Sequence, residues 1–511
     1  MSDIYFIGID VGTTGAKAVL INVQGEVIDT ITNNYPMQNP HPLWAEQNPE
    51  DWWMAVSKSL SEVIQKNKIN PVDIKGLGLT GQMHGLVSLD KNGKPVYPCI
   101  MWNDQRTSLE CEEITTKIGF ENLIRITGNP VLPGFTAAKL LWLKKNKSEV
   151  YNSINKILLP KDYIRYRLTN EFYTDVSDAS GTSLLDVEKR KWSDEILERL
   201  DIPKDWLPGV LESIEVSGRI TNEASGATGL RPGTPVIAGG GDQAAGGIGS
   251  GSIKEGIVSI VLGTSGVVFT NSDKFRIEPQ GKLHAFCHAV PGKWHLMGVT
   301  LSAAGSFKWY KETFYNSPVN SQDPYDNLTK SAVHVPPGSE GLIYLPYLSG
   351  ERTPFSDPDA KGAFIGFTLR HTMAHFTRAI LEGVSFSLKD CFDLISAMGI
   401  NADKIVVSGG GAKSELWRSI IADLFGVEIN TLSCTEGAPF GAAILATVGT
   451  GYYKNIPEAC SVILKTGSTI APDKNKFNLY NDYYSIYKEL YPELKTSFKD
   501  ITNITNKYYG Y

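Results

Sequence analysis

Two short turns carry the first chemical signal in the chain. Val11-Gly12-Thr13-Thr14-Gly15 and Gly263-Thr264-Ser265-Gly266 each set hydroxyls between glycines, and each follows a run of apolar residues. Glycine lets backbone amides turn toward a bound anion, and neighbouring hydroxyls donate further hydrogen bonds, so such a turn can cradle phosphate. One copy would serve equally well as an ordinary hairpin. Two copies, about half the chain apart, point to two phosphate-gripping turns facing each other across a cleft. Only the first has a carboxylate, Asp10, two residues before its glycine. Mg²⁺ takes one or two carboxylates plus phosphate oxygens, so Asp10 suits that ion or its water shell. No G-x-x-x-x-G-K-[ST] occurs, which excludes a P-loop.

A second candidate is Gly239-Gly240-Gly241-Asp242-Gln243-Ala244. Its letters fit the dinucleotide fingerprint G-x-G-x-x-A, but Asp242 would then sit where backbone must approach a pyrophosphate. Two other readings stay open: Asp242 caps a helix, or glycines expose it at a strand end as a general base for a hydroxyl nucleophile. Gly81-Gln82-Met83-His84-Gly85 and Met101-Trp102-Asn103-Asp104-Gln105-Arg106 hold polar groups beside an indole. Such a set can bond several hydroxyls while stacking on the apolar face of a sugar; each alone could also be a loop satisfying its own backbone. Ser408-Gly409-Gly410-Gly411-Ala412-Lys413-Ser414 would let a base or ribose lie against the backbone. The i,i+4 pairs His284/His288 and His371/His375 lack the glutamate of the zinc-protease motif, since Ala285 and Thr372 stand there. Metal ligation by these pairs is therefore not expected.

Positioning these groups requires strands that end together. Ile4–Asp10, Ala18–Asn22 and Val27–Thr30 read as strands, as do 76–80, 156–160, 234–238, 257–262, 267–270, 341–345 and 404–408. Helical patterns run over 50–66, 374–397 and 414–424. Strands alternating with helices predict an α/β architecture. The repeated strand–turn–strand device predicts two similar halves, 1–251 and 252–511, alike in backbone and different in chemistry.

The 511 residues suffice for two cores, and 20 % charged with 42 % hydrophobic residues excludes disorder. A net charge of −6 without a basic block argues against a nucleic-acid partner. No apolar run of membrane-spanning length and no signal-like start is visible, so a soluble cytoplasmic protein is expected. Six cysteines without a C-x-x-C read as reduced, mostly buried thiols.

Taken together, DVGTTGAK (10–17), GQMHG (81–85), WNDQR (102–106), GGGDQAAGG (239–247), GTSG (263–266), the stretch 362–382, SGGGAKSELW (408–417) and EGAPFGAA (436–443) resemble the FGGY family of carbohydrate kinases nearly end to end. Within it, GQMHG with WNDQR is most similar to the xylulokinase branch. The resemblance implies two ribonuclease H-like domains, as in actin and heat-shock ATPases, around an ATP·Mg²⁺ cleft. It also implies phosphorylation of a sugar's terminal hydroxyl, with D-xylulose expected. On that likeness Asp242 is the base, and Met83, His84, Trp102, Asn103, Asp104 and Gln243 contact sugar. Gly12, Thr13, Thr14 and Lys17 belong to the first phosphate turn, and Gly263, Thr264 and Ser265 to the second. Gly410, Gly411, Ala412 and Ser414 line the adenine pocket, Asp10 serves Mg²⁺, and a homodimer is expected.

One position departs from that branch. Gln243 stands where xylulokinases are associated with Asn and glycerol kinases with Gln, which keeps gluconate, ribulose and glycerol as alternative substrates. An actin- or chaperone-like ATPase would use both phosphate turns but leave the cluster at 81–106 idle. A nicotinamide oxidoreductase would rest on the fingerprint alone. Pro439 interrupts a small-residue run and is expected to act only at a helix start.

Overall fold

The structure, a computed structural model, describes residues 3–315, 323–434 and 436–510. Two twisted sheets organise it. The first runs, edge to edge, through Val27–Asn34, Gly15–Asn22, Tyr5–Val11, Ile74–Gly81, Pro235–Gly241 and Val216–Arg219. Successive neighbours are antiparallel, antiparallel, parallel, parallel and antiparallel. The second sheet runs through Trp294–Thr300, Gly266–Ser272, Ile257–Leu262, Lys404–Ser408, Ile429–Leu432 and Thr466–Ile470 with the same sequence of senses. His284–Cys287 adds one strand beyond Trp294. The doubled strand–turn–strand device is thus the central hairpin of two sheets of like topology.

Register explains why distant motifs meet. Gly81 stands opposite Val11 on one side and Gly241 on the other. The turn after Val11, the loop from Gln82 to His84 and the helix that begins at Asp242 therefore leave one edge of the sheet side by side. This carboxyl end of parallel strands is where open α/β sheets bind ligands. In the second sheet Val261 pairs with Ser408, so the Gly263 turn and the Gly409–Gly411 segment share an edge in the same way.

Helices cover the sheets by amphipathic packing. Pro49–Lys66 starts at Asn48, whose side chain accepts from the Glu50 amide, and buries Trp52, Val56, Leu60 and Val63. Met373–Ala397 and Glu415–Phe425 enclose the second sheet with Val384, Leu388, Ile420 and Leu424. The predicted strand at 341–345 is shorter, Ile343–Leu345, because Ser339–Gly341 form a helical turn. Lys474–Tyr509 is a long helix absent from the sequence reading. Among the described residues no helix is long and apolar enough to cross a membrane, and all six cysteines are free thiols.

Two helices of small residues join the halves. Ala438–Gly449 lies on the first sheet, its backbone so close that a methyl group at Gly8 would meet the Pro439 carbonyl and one at Gly78 the Ala442 carbonyl. It also crosses Asp242–Ser250, where a methyl at Gly441 would meet the Ala245 carbonyl. Only glycine permits such backbone approach. Pro439 sits in the first turn of its helix, where its missing N–H costs nothing.

Candidate functional site

A cavity of about 840 Å³ opens between the two sheet edges, with Asp10, Asp242 and Gln243 on one wall and Gly263, Ser265, Gly409, Gly410 and Ala412 on the other. A neighbouring cavity of about 810 Å³ shares Gly263 and Gly410 and adds Thr264, Gly411, Ser414, Lys308, Tyr325 and Trp417. The two expected nucleotide segments thus bound one continuous region. The Gly263 and Thr264 carbonyls also accept from the amides of Ala304 (2.8 Å) and Ala303 (2.9 Å), which ties this turn to the start of helix Ala304–Phe314.

Asp242 is the first residue of its helix and Gly241 is the cap, with no side-chain capping bond. The helix-cap reading of this aspartate therefore does not hold. Burial and the nearby Asp10 carboxylate push the Asp242 carboxyl up to about 7. Burial likewise raises Asp10 to about 6, opposed by the Lys17 ammonium. One Asp10 oxygen, Oδ1, is buried without a hydrogen-bond partner. An orphaned carboxylate oxygen beside a second carboxylate, in a cavity shared with the Gly263–Ser265 turn, is a donor set that fits Mg²⁺.

The turn Gly12–Gly15 is held from behind. Tyr35 and Gln82 donate to the Gly12 carbonyl at 2.5 and 3.1 Å, and Gln47 donates to the Thr13 carbonyl at 2.8 Å. The Thr14 carbonyl accepts from the Tyr35 amide at 3.2 Å. Trp102 donates its indole N–H to the Thr13 hydroxyl at 3.0 Å, so the sugar-type loop rests on the phosphate turn. Lys17 pairs with Glu436 at 3.2 Å, bridging the two halves.

Met83 is buried against Gly241, directly behind Asp242. His84 adopts a left-handed backbone (φ 70°), uncommon for a residue with a side chain. Its carbonyl accepts from the Thr136 hydroxyl (3.0 Å) and the Lys139 ammonium (2.8 Å), and its ring stacks on Phe135. Burial drives its pKa down to about 3, so the ring is neutral near pH 7. Nδ1 lies 2.6 Å from the Gly181 carbonyl and must donate to it, which leaves Nε2 as an acceptor. Thr136, Lys139 and Gly181 were not foreseen; Lys139 sits in a helix whose sequence gives no sign that a lysine is interior.

The loop 102–106 divides. Asp104 is fully buried; its oxygens accept from the Ala45 amide at 2.7 Å and from Arg106 at 2.6–3.0 Å. Arg106 also pairs with Glu46 at 2.7 Å and stacks on Trp44. The expectation that Asp104 contacts sugar is corrected: a carboxylate saturated by a stacked guanidinium and an amide braces the loop. Asn103 lines a separate depression of about 460 Å³ with Asn39–Ala45, and its Oδ1 is buried without a partner. His284 and His288 begin and follow a strand, and His375 completes a capping box with Thr372. Among the described residues no group of three or more His, Cys, Asp or Glu side chains is arranged to hold a metal.

Comparison with known proteins gives this arrangement its context. The model of the FGGY family of carbohydrate kinases, N-terminal domain, matches residues 5–249, and that of its C-terminal domain matches 258–450. The chain is 40 % identical over 490 residues to the xylulose kinase of Escherichia coli K12, covering 96 % of this chain and 99 % of that one. The crystal structure of ligand-bound xylulose kinase from Lactobacillus acidophilus superposes with a TM-score of 0.90 at 29 % identity, covering 97 % and 99 % of the two chains. Gluconate kinase from the same organism superposes with a TM-score of 0.91 at 28 % identity, covering 98 % and 100 %.

Proposed function

Because this chain belongs to the FGGY family of carbohydrate kinases, we propose that it transfers the terminal phosphoryl group of ATP to the 5-hydroxyl of D-xylulose, with Asp242 as the base. The observation that carries the mechanism is Asp242 itself: free of any capping bond, at a strand end, in the cleft that also holds the Gly263–Ser265 turn, with a carboxyl raised to about 7. A base whose pKa lies near working pH combines a useful ionised fraction with real proton affinity. The choice of D-xylulose is supported by the relatives at up to 40 % identity. The reading divides the chain after Gly251 into a half with the sugar groups, the first phosphate turn and the base, and a half with the second phosphate turn and the adenine pocket, acting in the cytoplasm.

In this mechanism Asp242 orients the sugar hydroxyl and accepts its proton as the oxygen bonds to phosphorus and the bond to the ADP oxygen breaks. Mg²⁺, when bound beside Asp10, supplies positive charge to the phosphate oxygens. Thr13, Thr14, Thr264 and Ser265 offer hydroxyls, and Gly12 and Gly263 offer backbone that can approach the phosphates. Lys17 balances charge at the first turn. His84 accepts a sugar hydroxyl at Nε2, Met83 and Trp102 give apolar surface, and Gln243 supplies an amide at the rim. Gly410, Gly411, Ala412 and Ser414 receive the adenine and ribose.

The test is an ADP-release assay with Mg²⁺·ATP over D-xylulose, other ketopentoses, gluconate and glycerol. D-xylulose should exceed every other acceptor at least about tenfold in kcat/KM. Preference for gluconate or glycerol would keep the kinase and overturn the sugar, moving the specificity argument to Gln243.

A further inference from the structure

The strand that delivers Asp242 is irregular just before it does so. Its register against Ile74–Gly81 breaks between Ile237 and Gly240, and Gly239 has a left-handed backbone (φ 72°). Bulges near active sites re-aim the chain and take backbone groups out of the ladder. Here those groups find other partners. The Ala238 and Gly239 amides donate to the carbonyls of Glu215 (2.8 Å) and Ser213 (2.9 Å). The Ala238 carbonyl accepts from Arg165, and the Gly241 amide donates to the Ser177 hydroxyl oxygen at 3.1 Å.

Behind Ser177 lies a sealed ionic cluster. Ser177 donates to Asp175 Oδ2 at 2.5 Å, and Ser213 donates to the same oxygen at 3.2 Å. Lys161 reaches Asp162, Asp175 and Asp178 at 2.7, 2.8 and 3.0 Å, and Arg165 reaches Asp162 at 2.5 Å. All five charged side chains are 0 % exposed. An apolar core of the same shape is often as stable as such a cluster or more so, so stability alone does not account for it. Arg165 and Ser213 touch the strand earlier, at Ala238 and Gly239, and the link nearest the site is the Ser177 hydroxyl, bonded to the amide immediately before Asp242.

We infer that Ser177, backed by Asp175 and Lys161, is a positioning residue that fixes the Gly241 amide and thereby the aim of the Asp242 carboxylate. The inference rests on Asp242 being the base. Without the Ser177 oxygen the Gly241 amide is a buried orphan, and the glycine-rich bulge has freedom to relieve it by turning. Asp242 then spends less time in line with the hydroxyl, and a displacement of about 1 Å can cost about 10²-fold in rate.

The experiment measures kcat, both KM values and melting temperature for Ser177→Ala, Ser213→Ala and Asp242→Ala in the full chain, with D-xylulose and ATP. Ser177→Ala should lose at least about tenfold in kcat with KM for ATP unchanged within about twofold. Ser213→Ala removes a bond to the same Asp175 oxygen but keeps the Gly241 contact, and should retain most of kcat. Parental kcat in Ser177→Ala, or equal losses in the two serine variants, overturns the inference while an inactive Asp242→Ala leaves the base standing. Near-parental turnover by Asp242→Ala overturns both. Should Ser177→Ala not fold, Ser177→Cys, near in size but a weaker acceptor, reads the same quantity: lowered kcat at parental melting temperature is expected, and parental kcat overturns the inference.

Discussion

At Asp242 two requirements oppose each other. Catalysis wants a carboxylate close to a second carboxylate and away from water; stability wants neither. Replacing Asp242 by Ala removes the proposed base and should lower kcat by about 10²–10⁴ while nucleotide binding, followed by titration, persists. The raised carboxyl has a visible pH signature. With Asp242 at about 7 and Asp10 at about 6, kcat/KM for the sugar should rise through pH 6–7 rather than near the ordinary aspartate value of 3.8. Because the two groups interact, the limb belongs to the pair. Asp10→Asn removes the charge that raises Asp242, so the limb should move toward acid; an unmoved limb would show the coupling to be absent. The linkage sign follows: a carboxyl raised on folding binds its proton more tightly in the native state, so stability falls as pH climbs from about 4 to 7. Asp242→Asn should therefore melt higher than the parent at pH 8 while inactive, the trade-off usual at active sites.

Among the elements, the loop after strand Ile74–Gly81 depends on a helix far from it in sequence. Thr136 and Lys139 both donate to the left-handed His84 carbonyl, and burial lowers Lys139 to about 7, so its charge is itself marginal. Cys99, Asp104, Arg106 and Cys111 are the ionisable groups that bear on it. Lys139→Met should raise KM for the sugar about tenfold and leave KM for ATP unchanged, as steady-state kinetics with each substrate varied would reveal. The helix pair 242–250 and 438–449 tolerates even less. Gly441→Ala puts a methyl into the Ala245 carbonyl, a clash of backbone on backbone that should cost about 3 kcal/mol or more, read by chemical denaturation. Sequence made both hairpins, the strand at 404–408 and the helix at 374–397 legible, because their periods are set locally. It did not reveal that Asp104 is locked by Arg106, that Asn103 faces a different depression, or that Lys139 lies beneath His84. Arg106 is only two residues from Asp104, but the Ala45 amide that completes the lock is 59 residues away and Lys139 is 55 from His84, and periodicity encodes neither. Nor did charge content betray the buried Lys161 cluster, since a Lys-Asp pair at a helix start looks like a solvated face.

For the whole molecule, the like sheets with unlike edges explain the division of labour. One edge gathers carboxylates and sugar-type loops; the other gathers glycines and hydroxyls. Most motifs quoted from the sequence lie at an edge of one of the two sheets or on the two crossing helices, while 362–382 runs into the helix Met373–Ala397. A partly exposed ion pair, Lys17 with Glu436, bridges the halves at the turn. Such pairs are worth about 0–1 kcal/mol. Glu436→Gln should leave the melting temperature within about a degree and alter KM for ATP by less than about threefold; a large loss in stability would show that the pair holds the cleft shut.

The helix Ala438–Gly449 has a consequence for how the protein is made. The first sheet is complete once Gly241 has been synthesised, yet the helix that covers Gly8 and Gly78 comes about 200 residues later. At roughly 5–20 residues per second, that leaves the nascent first half with an open, glycine-lined face for about 10–40 seconds on the ribosome. Slow codons within the second half would lengthen that window, and chaperone dependence during synthesis should track it.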